Sequence, residues 1–243
     1  MTAARQIETR VNSIAIDKVF SIADLGFPSD WWENIRVKLS RMAAKGSIKK
    51  LRKGRYYRPR KSVFGIVPPP PDAYIKDLLV NNSGKTTGYL TGYAVWNKMG
   101  LTTQISNIIE IATNKRRNPM KRGEHTIRFT VQPNRITKSN IPLLQILDAI
   151  KSIKNIPDSN TGDSVARIKS LISNIDTFKY RNLVSLAAAY PPRVSALVGA
   201  ILDEFGHNES AAQARMRLNP STIYNYGNIS EELLPNKTKW NIK

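Results

Sequence analysis

The stretch WWENIRVKLSRMAAKGSIKKLRKGRYYRPRK, Trp31 to Lys61, decides how the first part of this 243-residue chain folds. From Arg36 to Lys61 it carries twelve Lys/Arg and no acid. Its apolar residues are ordered. Trp32, Ile35, Leu39 and Met42 recur at spacings of three, four and three, which puts them on one helix face against a core. Asn34, Lys38, Arg41 and Lys45 recur at four, three and four on a different face. The spacing predicts a helix from about Asp30 to Lys45. Ser29 or Asp30 is placed to cap it, because a side-chain oxygen there accepts the free N–H groups of the first turn, and Glu33 follows Asp30 by three as in a capping box. Gly46 is placed to end it. Beyond it, Ile48–Leu51 and Arg55–Arg58 are strand candidates around a Lys53-Gly54 turn.

On the N-terminal side, Thr2–Ser13 reads as a first helix. FSIADLGF (Phe20–Phe27) reads as a short extended entry and a short helix ending near Gly26, punctuated by Pro28. Three helices followed by a basic hairpin is the order of a winged helix-turn-helix. In that arrangement the second helix of the turn enters the major groove and the wing meets phosphate or minor groove.

Charge points the same way. A solvated surface usually intersperses both signs, whereas a single-sign stretch in a folded region is a field directed at something, most often a phosphate backbone. Residues 1–67 hold 15 basic and 5 acidic residues, and residues 68–243 hold 23 and 13. Each segment therefore carries half of the net +20, and the field is densest in the shorter one. The candidate DNA-binding residues are Asn34, Arg36, Lys38, Arg41 and Lys45 on the helix, with Lys49, Lys50, Arg52, Lys53, Arg55, Tyr56 and Arg58 on the wing. Arg36 or Arg41 has the fork that holds guanine, and Asn34 the amide that holds adenine. Neutralising six to eight phosphates would give a slope of log K against log salt of about −5 to −7.

VPPPP (Val67–Pro71) favours polyproline II and continues neither a helix nor a central strand. It marks a boundary: a winged helix at 1–66, a Pro-rich linker at 67–72 and a second domain at 73–243. In the second domain Ala73–Asn82 reads as helix, stopped by Ser83-Gly84, and Gly92–Met99 as another, stopped by Gly100. Asn107–Thr113 and His125–Gln132 read as strands. The intervening NKRRNPMKRG then becomes a basic turn whose Lys115, Arg116, Arg117, Lys121 and Arg122 are either a second DNA contact or a solvated hairpin tip. From Ile141 apolar stripes predict several helices, the last strong one running through Val194–Leu202 and stopped at Gly206. The tail from Asn219 is polar and irregular, and reads as loosely packed or as a docking segment. The expected class is α+β, mostly helical, with an N-terminal winged helix followed by a larger mixed domain containing a short sheet and several helices.

Signals of chemistry are sparse. No cysteine is present, which excludes disulfides, thiolate nucleophiles and Cys-ligated zinc. His125 and His207 have no partner spacing. Glu110 has Ala112 two residues later where a restriction-type nuclease needs lysine, and NNSGKTTG has the end of a P-loop without its first glycine. Neither a metal site nor a cofactor site is expected, and no catalytic residue is assigned. The first sixteen residues lack an apolar core of signal-peptide length, and Leu183–Leu202 is broken by Pro191, Pro192 and Arg193. The sequence predicts a soluble, cytoplasmic protein without membrane association.

Three blocks carry a family resemblance. LSRMAAKGSIKKLRKGRYYRP (Leu39–Pro59), TGYAVWNKMGLTTQ (Thr91–Gln104) and NLVSLAAAYPPRVSALVGAILDEFG (Asn182–Gly206) resemble segments of AbiEi-type antitoxins of abortive-infection toxin–antitoxin operons. The resemblance implies a type IV antitoxin, in which the winged helix represses its own operon at promoter repeats. It also implies that the C-terminal region counters a nucleotidyltransferase-type toxin without forming a stable complex. Carried over by position, DNA contacts fall on Asn34, Lys38, Arg41, Lys45 and Lys49–Arg58. Apart from the resemblance, the charge of residues 68–243 could add backbone contacts that order a second copy on adjacent repeats. The segment after Gly206 has no counterpart in that resemblance. A stand-alone regulator, a nuclease-like enzyme guided by the winged helix and a basic RNA-binding module remain as alternatives.

Overall fold

The computed structural model describes residues 2–62, 65–67, 71–81, 83–122 and 125–243. The chain is an α+β protein that divides into two compact units, one formed by residues 1–78 with 121–125 and the other by 79–120 with 126–243. The division follows residue 78 rather than the proline run. Pro68–Pro70 lie outside the described residues, and the run ends inside a helix that begins at Pro71, where a missing N–H costs nothing.

The first unit has the winged-helix order. Helix α1 (Ala3–Asn12) leads to β1 (Val19–Phe20), then to single 3₁₀ turns at Ala23–Leu25 and Ser29–Trp31, and then to α2 (Trp32–Ala44). Strands β2 (Lys49–Arg52) and β3 (Arg55–Tyr57) form the wing, and the sheet has the antiparallel order β1-β3-β2. The helix expected before Gly26 is one 3₁₀ turn, closed by that glycine at φ 74°. Ile7 and Val11 of α1, Phe20, Leu25, Ile35, Leu39 and Met42 of α2, and Ile48 make one buried cluster. A second small hairpin follows, β4 (Arg60–Ser62) and β5 (Gly65–Val67), and then α3 (Pro71–Leu79).

The second unit holds β6 (Gly88–Thr91), α4 (Tyr93–Lys98), β7 (Ile108–Thr113) and, from Thr126 on, β9 (His125–Val131), while β8 (Met120–Arg122) has only Met120 in it, Lys121 and Arg122 belonging to the first unit. These strands form a sheet of order β6-β7-β9-β8. Here an expectation is corrected. β7 and β9 are not the arms of a hairpin around the basic turn. They pair in parallel, from Ile108 opposite Thr126 to Thr113 opposite Val131, and β8 lies on the other side of β9. The alternation of Ile127, Phe129 and Val131 is the same for either direction, so sequence period could not separate the two.

Helices α5 (Ile141–Ser152), α6 (Thr161–Ser173), α7 (Tyr180–Ala187), α8 (Pro192–Glu204) and α9 (Asn208–Arg215) complete the unit. Helix α8 is its centre, with every residue from Val194 to Leu202 buried. The tail is not loose. Tyr224, Tyr226, Ile229, Leu234, Trp240 and Ile242 are all buried in the main cluster. Gly199 is the reason α8 accepts it, since a Cβ there would overlap the Trp240 ring. Asp203 then fastens the tail, accepting hydrogen bonds from Trp240 Nε1 at 3.0 Å, Asn236 Nδ2 at 2.9 Å and Lys239 Nζ at 2.8 Å. Among the described residues no helix is long and apolar enough to cross a membrane.

Candidate nucleic-acid interface

Helix α2 buries Ile35, Leu39 and Met42, as its period requires. The expected fourth member of that face is displaced by one residue. Trp31 turns inward and stacks on Phe27 with ring centroids 5.3 Å apart, while Trp32 is 40% exposed. Both flank the core face, and the aromatic partner at Phe27 selects Trp31. Neither Ser29 nor Asp30 caps the helix with its side chain, because the preceding 3₁₀ turn feeds directly into it. The C-terminus behaves as its sequence demands. Gly46 takes φ 74°, its N–H donates to Ala43 O at 3.1 Å, and Ser47 N–H donates to Met42 O at 3.1 Å, the paired bonds of a Schellman ending. That turn delivers Ile48 into the core and β2 into the wing, where Gly54 at φ 71° makes the tip.

The exposed surface of α2 is organised in stripes. Glu33, Val37, Ser40 and Ala44 recur at four, three and four along its outermost line, and all are exposed. Asn34, Arg41 and Lys45 form the exposed stripe on one side of it, and Arg36 stands on the other. Lys38 leaves the expected set. It leans toward α1 and donates to Glu8 Oε2 at 2.6 Å. That hydrogen bond, with the lysine's charge, holds the Glu8 carboxyl below the usual carboxylate range.

Other predicted contacts are also engaged within the unit. Arg36 pairs with Glu33 at 3.1 Å and Arg55 with Asp24 at 3.3 Å, and Arg60, outside the predicted set, pairs with Asp17 at 2.8 Å. Arg58 donates to the carbonyls of Asn12 and Ile14, both at 2.6 Å, and so ties the end of α1 to the wing. Arg52 shares Asp77 with Arg122, at 2.8 Å and 2.7 Å. Burial alone would raise the Asp77 carboxyl, but the two guanidinium groups overcome it and hold the group low. Arg122 is 7% exposed and also donates to Tyr74 O, so it is a buried strut rather than a second DNA contact. Tyr56 is half-buried against the core, its ring 6.2 Å from Phe20.

This pairing leaves a definite remainder. Among the described residues no carboxylate pairs with Arg41, Lys45, Lys49, Lys50 or Lys53, which lie on the helix flank and along the wing. Of the twelve expected contacts, these five and Asn34 are the ones with no ion pair, side-chain hydrogen bond or ring contact among the described residues, although the charge of Lys45 also helps to hold Glu8 low. The carboxylates that neutralise the rest lie 25 or more residues away from Lys38, Arg52 and Arg55, so no local signal announces them.

A family model described as "Family of unknown function (DUF6088)" matches residues 6–179. The chain belongs to this family. No curated protein and no solved structure matches it.

The part matched to DUF6088 takes in the rest of the residues singled out for chemistry except His207. Lys115, Arg116 and Arg117 are exposed between β7 and β8, with the Arg117 guanidinium 5.5 Å from the Phe129 ring centre, and Lys121 is exposed. Ser83-Gly84-Lys85-Thr86 is a turn, organised by Asn81 Oδ1 accepting from Ser83 N and Lys85 N, with Val80 bridging Thr86. His125 meets the Tyr74 ring edge-on at 5.2 Å, and His207 sits 4.5 Å from Tyr180.

Sequence reading missed one polar centre. Asp148 of α5 is half-buried, and its oxygens accept from Tyr89 OH at 2.7 Å, Thr91 Oγ1 at 2.8 Å and Tyr190 OH at 2.7 Å. Gln132 Nε2 donates to both tyrosine oxygens, at 2.8 and 2.7 Å. Burial pushes the Asp148 carboxyl up, against the hydrogen bonds of Tyr190, Tyr89 and Thr91. Glu110, opposite Arg128 on β9, lies over Gly92 so closely that a Cβ there would overlap its carboxylate. Burial raises Glu110 too, Arg128 opposes it and Asp148 reinforces it. The Asp148 centre clamps β6, α5 and the segments around Gln132 and Tyr190 together. Among the described residues no three His, Asp or Glu groups converge as a metal site.

Proposed function

We propose that this protein is a sequence-specific DNA-binding regulator that represses its own operon, and that it serves as the antitoxin of a type IV toxin–antitoxin pair. It acts in the cytoplasm by binding, without catalysis. One observation carries the DNA reading: Glu8, Asp17, Asp24, Glu33 and Asp77 of a winged-helix unit are paired internally, while among the described residues Arg41, Lys45, Lys49, Lys50 and Lys53, along the helix flank and the wing, have no carboxylate partner. A fold that pairs five of its acids internally and still leaves five cations on two adjoining elements presents a field suited to a phosphate backbone. Lysines of the wing and Lys45 position the unit on phosphates, and Arg41 and Asn34 read base edges.

The antitoxin part rests on the resemblance of Leu39–Pro59, Thr91–Gln104 and Asn182–Gly206 to AbiEi-type proteins. A nucleotidyltransferase-type toxin is its functional counterpart rather than a stable partner. The test is a reporter driven by the DNA upstream of this gene, together with co-expression of the neighbouring gene. Repression by the wild type, relieved by the double change Arg41→Ala and Lys45→Ala, supports autoregulation, and restored growth beside a toxic neighbour supports the antitoxin role. An unrepressed reporter rejects the first, and unrelieved toxicity or a harmless neighbour rejects the second.

A further inference from the structure

We infer that Val37 reads the methyl group of a thymine in the major groove, and so sets sequence preference at one base pair of the bound site. This rests on the reading of α2 as the helix that enters the groove.

A single exposed apolar residue needs no explanation by itself. Val37 differs by its position. It is 43% exposed and stands on the outermost line of α2, diametrically away from Ile35, Leu39 and Met42. The residues that follow it on that line, Ser40 and Ala44, are short and uncharged. Glu33, at the head of the line, has its carboxylate drawn to Arg36. The Ser40 hydroxyl has no hydrogen-bond partner among the described residues. From Val37 onward the helix therefore presents a ridge that is low and neutral in the middle. Asn34, Arg41 and Lys45 run along one side, and Arg36 stands on the other.

That profile matches the groove it would enter. The floor of the major groove carries base edges and the two rims carry phosphates, so a neutral ridge between cationic flanks meets a neutral floor between anionic rims. Long side chains along the outermost line would hold the helix away from the bases, whereas Val37, Ser40 and Ala44 allow close approach. The apolar feature on the groove floor is the C5-methyl of thymine, and the branched Val37 side chain is the apolar group on the ridge. Asn34 and Arg41, one turn before and one turn after Val37, then address the neighbouring base pairs.

Deoxyuridine tests this directly, because it keeps the Watson–Crick pair and removes only the methyl group. Fluorescence anisotropy is measured on the duplex upstream of the gene, with each thymine of the protected site replaced in turn by deoxyuridine. The expected result is one position, repeated by any symmetry of the site, where wild type loses roughly three- to fivefold in affinity, the worth of burying about one methyl group. There Val37→Ala, confirmed folded by circular dichroism, binds the thymine and uracil duplexes equally. Equal binding of all duplexes by wild type, or discrimination that persists undiminished in Val37→Ala, overturns the assignment while leaving DNA binding intact. Absence of binding to any duplex overturns the assignment and the DNA reading together.

Discussion

Lys38 and Arg41 lie three residues apart on α2, carry the same charge and have different surroundings. Lys38 is held by Glu8, whereas Arg41 is exposed and has no ion pair among the described residues. Replacing Arg41 by alanine is expected to weaken binding to the preferred duplex about tenfold or more and to relax preference at one base pair. Replacing Lys38 is expected to change affinity about twofold at most. Titrations of the two variants side by side check this. Lys50→Ala and Lys53→Ala should each weaken native and shuffled duplexes alike and lower the salt slope by about one. The cationic stretch was plain from composition, and so were Gly46 and Gly54 as turn residues. Which charges remain available was not. That depends on Glu8, Asp24 and Asp77, whose partners are 30, 31 and 25 residues away along the chain. Trp31 and Trp32 make the same point, since helical spacing admits either to the core and only the contact with Phe27 decides.

Among the elements, most helices were legible from an apolar stripe of helical period, and the winged-helix order followed from their sequence with the Lys53-Gly54 turn; α9, whose NESAAQAR has no such stripe, was not expected. Two features had no such signature. A parallel neighbour and an antiparallel one produce the same alternation, so the β7–β9 pairing was hidden. The tail beyond Asn219 has no period at all. It docks through scattered side chains, a Tyr224–Ile242 bridge and the Asp203 hydrogen bonds. Trp240 lies 3% exposed over Gly199. Truncating Trp240 to alanine should cost about 3–5 kcal/mol, and Gly199→Ala about 1–3 kcal/mol through overpacking, both read from urea unfolding. A fully loose tail would leave both variants as stable as wild type.

At the scale of the whole molecule, each unit contains a carboxylate displaced from its ordinary range, and in opposite directions. Asp77 of the first unit is held low, so its stabilising pairing is present above the unfolded value and is lost as pH falls through the folded one. The margin of wild type over Asp77→Asn should therefore shrink in acid. Asp148 of the second unit is pushed up, so its favourable protonated state is present below the unfolded value and is lost as pH rises through the folded one. The melting temperature of wild type minus that of Asp148→Asn should fall as pH rises from the carboxylate range toward neutrality. Thermal scans across that window test both signs. The central claim is that a winged-helix unit in which Glu8, Asp17, Asp24, Glu33 and Asp77 are paired internally directs its spare cations at duplex DNA. Its most direct test is anisotropy with the DNA upstream of this gene against a shuffled duplex of equal length, across a salt series. The expected result is tighter binding to the native duplex, with a slope of about −5 to −7 that drops when Arg41, Lys45, Lys50 and Lys53 are removed. Equal affinity for the two duplexes, or a slope untouched by those four changes, would contradict it.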